Sequence, residues 1–566
     1  MKTKVEKGIG QTCQKPIAVC GLSAIGAVVM LMWSGQADAF QFAVDDPDLS
    51  VRWDNTIKYS NAFRVKEANP TLISDANQDD GDRNFHRGLS SNRLDLLSEF
   101  DVAYKDVGAR ISGAAWYDTI YNHSNANNSP QTANAVSVPN NQFVNATRVL
   151  NGRNVELLDA FAYKKGTVAE MPFTVRLGQH TVLYGETLFF GSNGIAGAQS
   201  PIDTNKLLGV PNTQFKELAL PQPQISAQLQ VKSNLTVGMY YQFSWQADRL
   251  PPVGSYFSPV DILQQGGERI LAGPALAPGG GPAAFFHTKD EYGRNTGQGG
   301  FQVRWRPEGS ETEFGFYAAQ FNAKDPQVYV RPGVGLNAAS GQIGTYQLVY
   351  PNDIKTVGLS FTNSIGDTNI AGELSFRNNM PLVSDGVTVL PGQAADNGAN
   401  ARYAVGNTMH FNLSTITSLP RTPLWQGGTL LAEVAYNQLL NISHNPETVD
   451  PNTTRGAAAF RVVFTPTYFQ VLPGMDISVP IGFGYTPFGR SSVISSFNGG
   501  TYHGGDVNIG ISGTYQKAWN FSLAYTHFLG AANTAQGPAG QAVQHLTFGQ
   551  AFADRDFVAL SVARTF

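Results

Sequence analysis

The chain ends in Phe557-Val-Ala-Leu-Ser-Val-Ala-Arg-Thr-Phe566, and this stretch decides the fold. As an extended strand it has one apolar face, formed by Val558, Leu560, Val562 and Phe566. The opposite face is small or polar, formed by Ala559, Ser561, Ala563 and Thr565. This alternation is typical of an outer-membrane barrel strand, which meets lipid on one face and the lumen on the other. The edge strand of a soluble sandwich is the alternative that the rest of the chain must exclude.

The C-terminal aromatic residue has a meaning of its own in such a barrel. Phe566 resembles the terminal signal by which bacterial outer-membrane barrels are recognised during assembly. We therefore expect the barrel assembly machinery and outer-membrane lipid as partners. Arg564 interrupts the apolar face, and we expect its long side chain to extend towards the lipid headgroups.

The N-terminus predicts a cleaved secretory signal over residues 1–39. Four lysines precede an uncharged apolar run at 17–33, and Ala37-Asp38-Ala39 matches the A-x-A cleavage pattern. The mature chain, residues 40–566, is then expected to form one barrel domain. Both cysteines, Cys13 and Cys20, leave with the signal, so we expect no disulfide in the mature protein.

The composition agrees with a barrel. The 566 residues include 59 glycines, 11% are aromatic and only 14% are charged. Beyond the signal, no apolar run approaches the length of about 18 residues that a spanning helix needs. The net charge of −4 carries no basic excess, so nothing indicates nucleic-acid binding.

The alternation of short and long connections predicts the number of strands. Short turns such as 105–106 and 516–518 alternate with long polar loops such as 181–222 and 246–296. Eight short and nine long connections predict an all-β, transmembrane, antiparallel barrel of about 18 strands, with 16 as the alternative. Outer-membrane barrels have short periplasmic turns and long extracellular loops, whereas a soluble sandwich has no reason to alternate in this way. The predicted location is the bacterial outer membrane.

The predicted lumen face carries charges of both signs. The candidates are Arg52, Lys58, Arg93, Asp95, Glu99, Arg110 and Arg176. Opposed rows of these charges would set a field across the pore and select solutes. Alternatively, they pair with one another and stiffen the wall.

The substrate path is predicted from aromatic residues. The third long loop begins with the apolar stretch 182–190, which suggests that it folds inward, and its candidates are Tyr184, Glu186, Phe189 and Phe190. The stretch could line a constriction or greasy slide, or it could simply pack against the wall. Whether loop 182–222 plugs the lumen stays open. Phe161 and Tyr163 share a strand face and are predicted to line the lumen.

The first long loop contains a partial calcium pattern. Asp75, Asn77, Asp79 and Gly81 resemble the start of an EF-hand loop, but Asp80 stands where glycine is required and no closing glutamate follows. A solvated acidic loop is the favoured interpretation of residues 75–82, with calcium as the alternative. The histidines have no metal-ligand spacing and no G-x-S-x-G motif occurs. We expect no catalytic residue, cofactor or metal, and no enzyme activity.

Several segments resemble the Gram-negative outer-membrane family known as domain of unknown function 1302. They are 79–85, 91–101, Arg176-Leu-Gly-Gln179, Tyr184-Gly-Glu-Thr187 and 466–474. The family usually has Trp-Gly-Glu-Ser where this chain has Tyr184-Gly-Glu-Thr187. The resemblance implies a large barrel that moves hydrophobic compounds such as fatty acids, alkanes or sterols. It also implies periplasmic or inner-membrane transport partners.

These observations favour an outer-membrane channel for hydrophobic small molecules. The alternative is a general polar-solute porin with a charged constriction.

Overall fold

The computed structural model describes residues 40–42, 46–129, 131–263, 265–538 and 544–566. The predicted signal peptide, residues 1–39, lies outside the described residues.

Within this part of the chain, eighteen antiparallel strands form one barrel. In chain order they are β1 (Leu49–Arg64), β2 (Gly88–Tyr104), β3 (Val107–Asp118), β4 (Arg153–Val168), β5 (Met171–His180), β6 (Gln222–Lys232), β7 (Leu235–Gln242), β8 (Gln298–Trp305), β9 (Glu313–Phe321), β10 (Ile354–Ile365), β11 (Thr368–Pro381), β12 (Val405–Ser418), β13 (Gly427–His444), β14 (Gly456–Leu472), β15 (Met475–Ser478 and Ile481–Phe488), β16 (Gly505–Tyr515), β17 (Trp519–Leu529) and β18 (Phe557–Thr565). The predicted eighteen strands and their alternating short and long connections are confirmed. The interruption of β15 falls at Pro480, because proline cannot donate a ladder hydrogen bond.

The barrel is closed by its first and last strands. β1 pairs with β2 on one side and with β18 on the other, and Ser60 lies opposite both Arg93 and Ser561. Phe566 exchanges two backbone hydrogen bonds with Asn55, at 2.8 and 2.9 Å, so the C-terminus completes the seam. Closure leaves no strand edge exposed to lipid, as a membrane requires.

The two faces of the wall follow the period-two pattern. The side chains of Trp53 and Leu560 point outward and are 44% and 41% exposed, whereas those of Lys58 and Ser561 point inward and are buried. Arg564 differs from the expectation, since it is 7% exposed and its guanidinium lies 5.1 Å from the centre of the Trp519 ring. The outward apolar face, the short turns and the long loops place the protein in the bacterial outer membrane.

The long loops carry the remaining elements. Five short strands form a second sheet: Arg269–Ala275, Pro282–His287, Gln327–Asn337, Gln342–Val349 and Val387–Thr388. Gln536–Gly537 pairs with His545–Leu546, and Phe40–Gln41 pairs with β1. The helical turns are Asp80–Arg83, Asn145–Thr147, Arg148–Gly152, Ile195–Ala198, Thr204–Gly209, Phe215–Leu218, Pro446–Thr448 and Phe497–Gly500. None of the helices in the described residues has the length and apolar character to cross a membrane.

The first long loop, residues 65–87, is not the solvated acidic loop that the sequence suggested. Asp75, Asp79 and Asp82 are 6%, 1% and 1% exposed. Two arginines from the barrel seam explain part of this burial: Arg64 and Arg555 both form ion pairs with Asp82, at 3.0 and 2.9 Å. Ion pairs made by residues distant in sequence cannot be read from a local acidic pattern.

Candidate functional site: the inward loop

The connection between β5 and β6, residues 181–221, folds back inside the barrel; we name it the inward loop. Its first half contacts the inner wall at β11–β13, and its second half contacts the wall at β1–β4. These two wall regions lie on opposite sides of an eighteen-stranded barrel, so the inward loop spans the lumen.

The first half is held through its backbone. Glu373 on β11 accepts hydrogen bonds from the amides of Glu186 (2.8 Å) and Ile195. Glu433 on β13 accepts from the amides of residues 188, 189 and 190, at 3.1 Å for the first and the last. Hydrogen bonds to an ionised acceptor are roughly twice as strong as neutral ones, so two wall carboxylates hold five loop amides.

Two glycines allow this close approach. Gly185 has φ +102°, and a Cβ placed on it would lie 2.4 Å from the Glu373 Oε2 atom. A Cβ on Gly194 would lie 2.6 Å from the other oxygen of the same carboxylate. Gly185 is the glycine of the Tyr-Gly-Glu-Thr motif. The structure explains why this position of the motif is glycine, because only glycine fits between the loop and its anchor.

Polar side chains complete the first anchor. Asn193 donates to Asn412 (2.9 Å) and accepts from Asn437 (3.1 Å), which lie on β12 and β13. Arg377 donates to the carbonyl of Gly194 at 2.7 Å. Lys324, just after β9, donates to the carbonyl of Gly197 at 2.9 Å. Burial lowers the pKa of Lys324 to about 8, because the interior disfavours its charged form.

The second half is held by long charged side chains. Lys206 pairs with Glu156 on β4 at 2.6 Å, and its ammonium lies 4.5 Å from the centre of the Trp116 ring. Lys216 pairs with Glu99 on β2, while Lys58 on β1 donates to the carbonyl of residue 211 at 3.2 Å. Of the two lysines on the loop, Lys206 is buried and Lys216 is 43% exposed.

The predicted aromatic path is only partly exposed. Tyr184 packs edge-on against Tyr240, with ring centres 5.5 Å apart, and Phe190 is 7% exposed against Phe497. Phe189 is also partly buried, beside the same apolar cluster. Glu186 pairs with Arg304 on β8 at 3.2 Å. These side chains pack against the wall and against neighbouring loops, so most of them fix the loop in place.

Other apolar side chains of the inward loop are exposed instead. They are Leu183 (40%), Leu188 (38%), Leu207 (56%) and Phe215 (58%). Leu188 is the first residue of the stretch whose amides are anchored on Glu433, and Phe215 precedes the lysine anchored on Glu99. Sequence reasoning missed Leu207 and Phe215, because they stand in a mixed polar segment without a local apolar pattern.

Phe161 and Tyr163 lie on the inner face of β4. The Phe161 ring centre is 5.4 Å from that of His180 and 5.8 Å from the Arg176 guanidinium carbon. Tyr163 lies over Gly108, where an added Cβ would come within 2.4 Å of the Tyr163 ring. The two ring centres are 6.4 Å apart, so Phe161 and Tyr163 form an aromatic strip on the wall.

The predicted lumen charges lie mostly in pairs on adjacent strands or two residues apart. Arg52 pairs with Asp54, and Arg93 pairs with Asp95 at 2.8 Å. Arg110 contacts three carboxylates, those of Glu99, Asp101 and Asp159. Arg176 is exposed beside Phe161. Most of these charges are thus balanced by a neighbour on the same part of the wall, as in the alternative in which paired charges stiffen the wall. These pairs do not form opposed rows across the lumen.

A cavity of about 350 Å³ lies between the second half of the inward loop and the wall. Its lining is mainly polar and includes Thr56, Lys58, Asp95, Asn212, Glu217, Asn520 and Thr565. Thr565 belongs to the short-turn end of β18, so the cavity lies on the periplasmic side of the inward loop.

These features define a class: an outer-membrane β-barrel channel with an apolar outer face, a polar inner face and a loop folded into its lumen. Within that class, the chain belongs to the family described as "Protein of unknown function (DUF1302)", whose model matches residues 21–566. The family resemblance seen in the sequence is thereby confirmed. No curated protein sequence matches this chain.

Three solved structures show similar chains. Acinetobacter baumannii OccAB1 is 11% identical with a TM-score of 0.42, over 94% of this chain and 99% of that chain. Pseudomonas aeruginosa OccK2 (OpdF), solved in complex with glucuronate, is 8% identical with a TM-score of 0.39, over 91% and 98%. The outer membrane channel DcaP of Acinetobacter baumannii is 9% identical with a TM-score of 0.34, over 93% and 99%.

Proposed function

We propose that this protein is a channel that moves hydrophobic small molecules across the outer membrane. The observation that carries the proposal is the exposure of Leu188 and Phe215 on a loop whose two halves are fixed to the inner wall. Exposed apolar side chains inside a polar lumen offer contact area to an apolar solute, worth about 25 cal/mol per Å² removed from water. Fatty acids, alkanes, sterols and similar lipids are the substrate class.

The anchors support this use of the loop. Because Glu373 and Glu433 hold backbone amides, the side chains of Leu183 and Leu188 are not needed for docking and can face the lumen. The exposed guanidinium of Arg176 and the aromatic ring of Phe161 beside it suit an amphipathic solute with an acidic head. A channel of this kind would pass its cargo to periplasmic or inner-membrane transport partners.

A polar-solute porin is the second candidate, and the polar cavity beneath the second half of the inward loop favours it. Its lining of lysine, carboxylate and amide groups would suit a small hydrophilic solute. The two candidate functions make different predictions. In a channel for hydrophobic molecules, uptake of an apolar solute depends on the apolar side chains of the inward loop, whereas in a porin it does not.

The decisive experiment uses the Leu188→Ser, Phe215→Ser double variant. It is expressed in Gram-negative cells that lack their own fatty-acid channel, and uptake of labelled oleate and of a labelled pentose is measured. Losing roughly 1 kcal/mol of apolar contact predicts an oleate uptake reduced about fivefold, with pentose uptake unchanged or higher. The control is the variant Leu336→Ser. Leu336 is equally apolar and is 71% exposed, but it lies in the second sheet, outside the inward loop. Unchanged oleate uptake together with rapid pentose uptake would favour the porin.

A further inference from the structure

Four long loops form a packed cap at the long-loop end of the barrel, beside the seam between β1 and β18. They are the first (65–87), the second (119–152), the fourth (243–297) and the ninth (530–556). Six buried aromatic rings unite them: Phe85, Tyr121, Phe143, Tyr256, Phe257 and Phe552. This cap contains a group of carboxylates that the proposed transport does not use.

Asp79 caps and Asp80 begins the helical turn Asp80–Arg83 of the first loop, and Asp261 comes from the fourth loop. Each offers one carboxylate oxygen, and these three oxygens lie within 4.8 Å of one another. The residues are 1%, 4% and 0% exposed. The Asp80 amide donates to Asp261 Oδ2 at 3.0 Å, so the two loops already meet at this point.

Positive charge at this place is insufficient. Arg83 pairs with Asp79. Asp80 receives hydrogen bonds only from neutral groups among the described residues, those of Asn127, Thr132 and Asn134. The nearby Arg64 and Arg555 are both engaged with Asp82. Three buried carboxylates therefore face one guanidinium, and an uncompensated buried charge is strongly destabilising.

Two of the oxygens are also unpartnered. Across the described residues, Asp79 Oδ1 and Asp261 Oδ1 are buried and accept no hydrogen bond. A buried polar atom without a partner loses its hydration without compensation, and native proteins rarely leave one in that state. Two such oxygens, in one group of three carboxylates, indicate a ligand that accepts electron pairs.

We propose that Asp79, Asp80 and Asp261 bind a calcium ion that locks the first long loop to the fourth. Ca²⁺ takes six to eight oxygen ligands at about 2.3–2.6 Å, so oxygens on one ion lie up to about 5 Å apart. The observed limit of 4.8 Å agrees with this spacing. Neutral hydrogen bonds from Asn127, Thr132 and Asn134 orient the Asp80 carboxylate, as outer groups do around metal ligands.

This site differs from the EF-hand pattern in the sequence. Two ligands are adjacent in the chain and the third comes from a distant loop, whereas an EF-hand takes its ligands from one twelve-residue segment. Asp75, the first residue of the partial pattern, accepts from Gln78 and Gln544 and takes no part.

The test measures Ca²⁺ directly on the purified full-length barrel in detergent, after EDTA treatment and removal of lipopolysaccharide. Isothermal titration with CaCl₂ at 0.15 M NaCl is expected to give one site per chain. Asp261→Asn should weaken binding about tenfold or more, because it replaces a charged carboxylate ligand by a neutral amide. Calcium should also slow proteolysis of the first and fourth loops in the native protein.

The matched control is Asp450→Asn. Asp450 is 1% exposed and belongs to another group of loop side chains, together with Asp385 and His545. In that group, His545 Nδ1 lies 2.9 Å from an Asp385 carboxylate oxygen. This variant should bind calcium normally. The proposal is overturned if the native barrel binds no Ca²⁺ at millimolar concentration, if Asp450→Asn removes the site, or if Mg²⁺ binds more tightly than Ca²⁺. The native measurement decides even if Asp261→Asn does not fold.

Discussion

The two halves of the inward loop are fixed to the wall by different physics. In the first half, Glu373 and Glu433 hold five backbone amides, which every residue type except proline supplies. In the second half, Lys206 and Lys216 reach the wall with flexible side chains. Backbone anchoring fixes the loop while leaving its side chains free to meet a solute. Side-chain anchoring uses those side chains and is weakened where water reaches the ion pair.

The largest effect is expected from removing both carboxylates, Glu373→Ala with Glu433→Ala. Each hydrogen bond to a charged acceptor is worth about 1.5–3 kcal/mol, so the first half should leave the wall. Single-channel conductance in planar bilayers should rise several-fold. Glu313→Ala is the control, since Glu313 is a wall carboxylate that pairs with Arg304 and, within the described part of the chain, accepts no hydrogen bond from an inward-loop amide. Equal conductance of the double variant and the native channel would contradict the backbone anchor.

A smaller effect is expected from Lys206→Met, which tests the buried part of the second half. The variant removes the 2.6 Å pair with Glu156, although Arg249 still holds that carboxylate at 3.0 Å. The loss of about 1.5–3 kcal/mol should produce brief openings in single-channel records. A steady opening as large as that of the double variant would show that the two halves are not anchored differently.

The smallest effect is expected from Lys216→Ala. Lys216 is 43% exposed, and its partner Glu99 also pairs with Arg110, so the loss should be about 0–1 kcal/mol. Conductance should not change. The reversal potential in a KCl gradient should shift slightly towards cation selectivity, because one positive charge leaves the lumen. A large rise in conductance would instead make this exposed pair a principal anchor.

The sequence predicted the wall far better than the contents of the lumen. Period-two alternation, such as that around Trp53 and Leu560, reports a local property: each side chain meets either lipid or the interior. The apolar character of Tyr184 and Phe190 predicts exposure to a substrate, yet the two side chains pack against Tyr240 and Phe497. An apolar residue in a loop gives no local sign of which distant surface covers it.

The acidic stretch in the first long loop shows the same limit. Its composition predicted exposure to water, whereas Asp79 and Asp82 are buried by Arg83, Arg64 and Arg555. Two of these arginines, Arg64 and Arg555, are on the barrel seam. The carboxylate that meets Asp79 and Asp80, that of Asp261, belongs to the fourth loop. No spacing rule within residues 75–82 contains this information.

The sequence by itself predicted a barrel of about 18 strands, with 16 as the alternative, and its place in the outer membrane. Each of these follows from alternation and connection length, which are local along the chain. The tertiary structure decided how the inward loop crosses the lumen, which of its apolar side chains stay exposed and which carboxylates meet in the cap. Those outcomes depend on Glu373, Glu433 and Asp261, which meet their partners only once the barrel has closed.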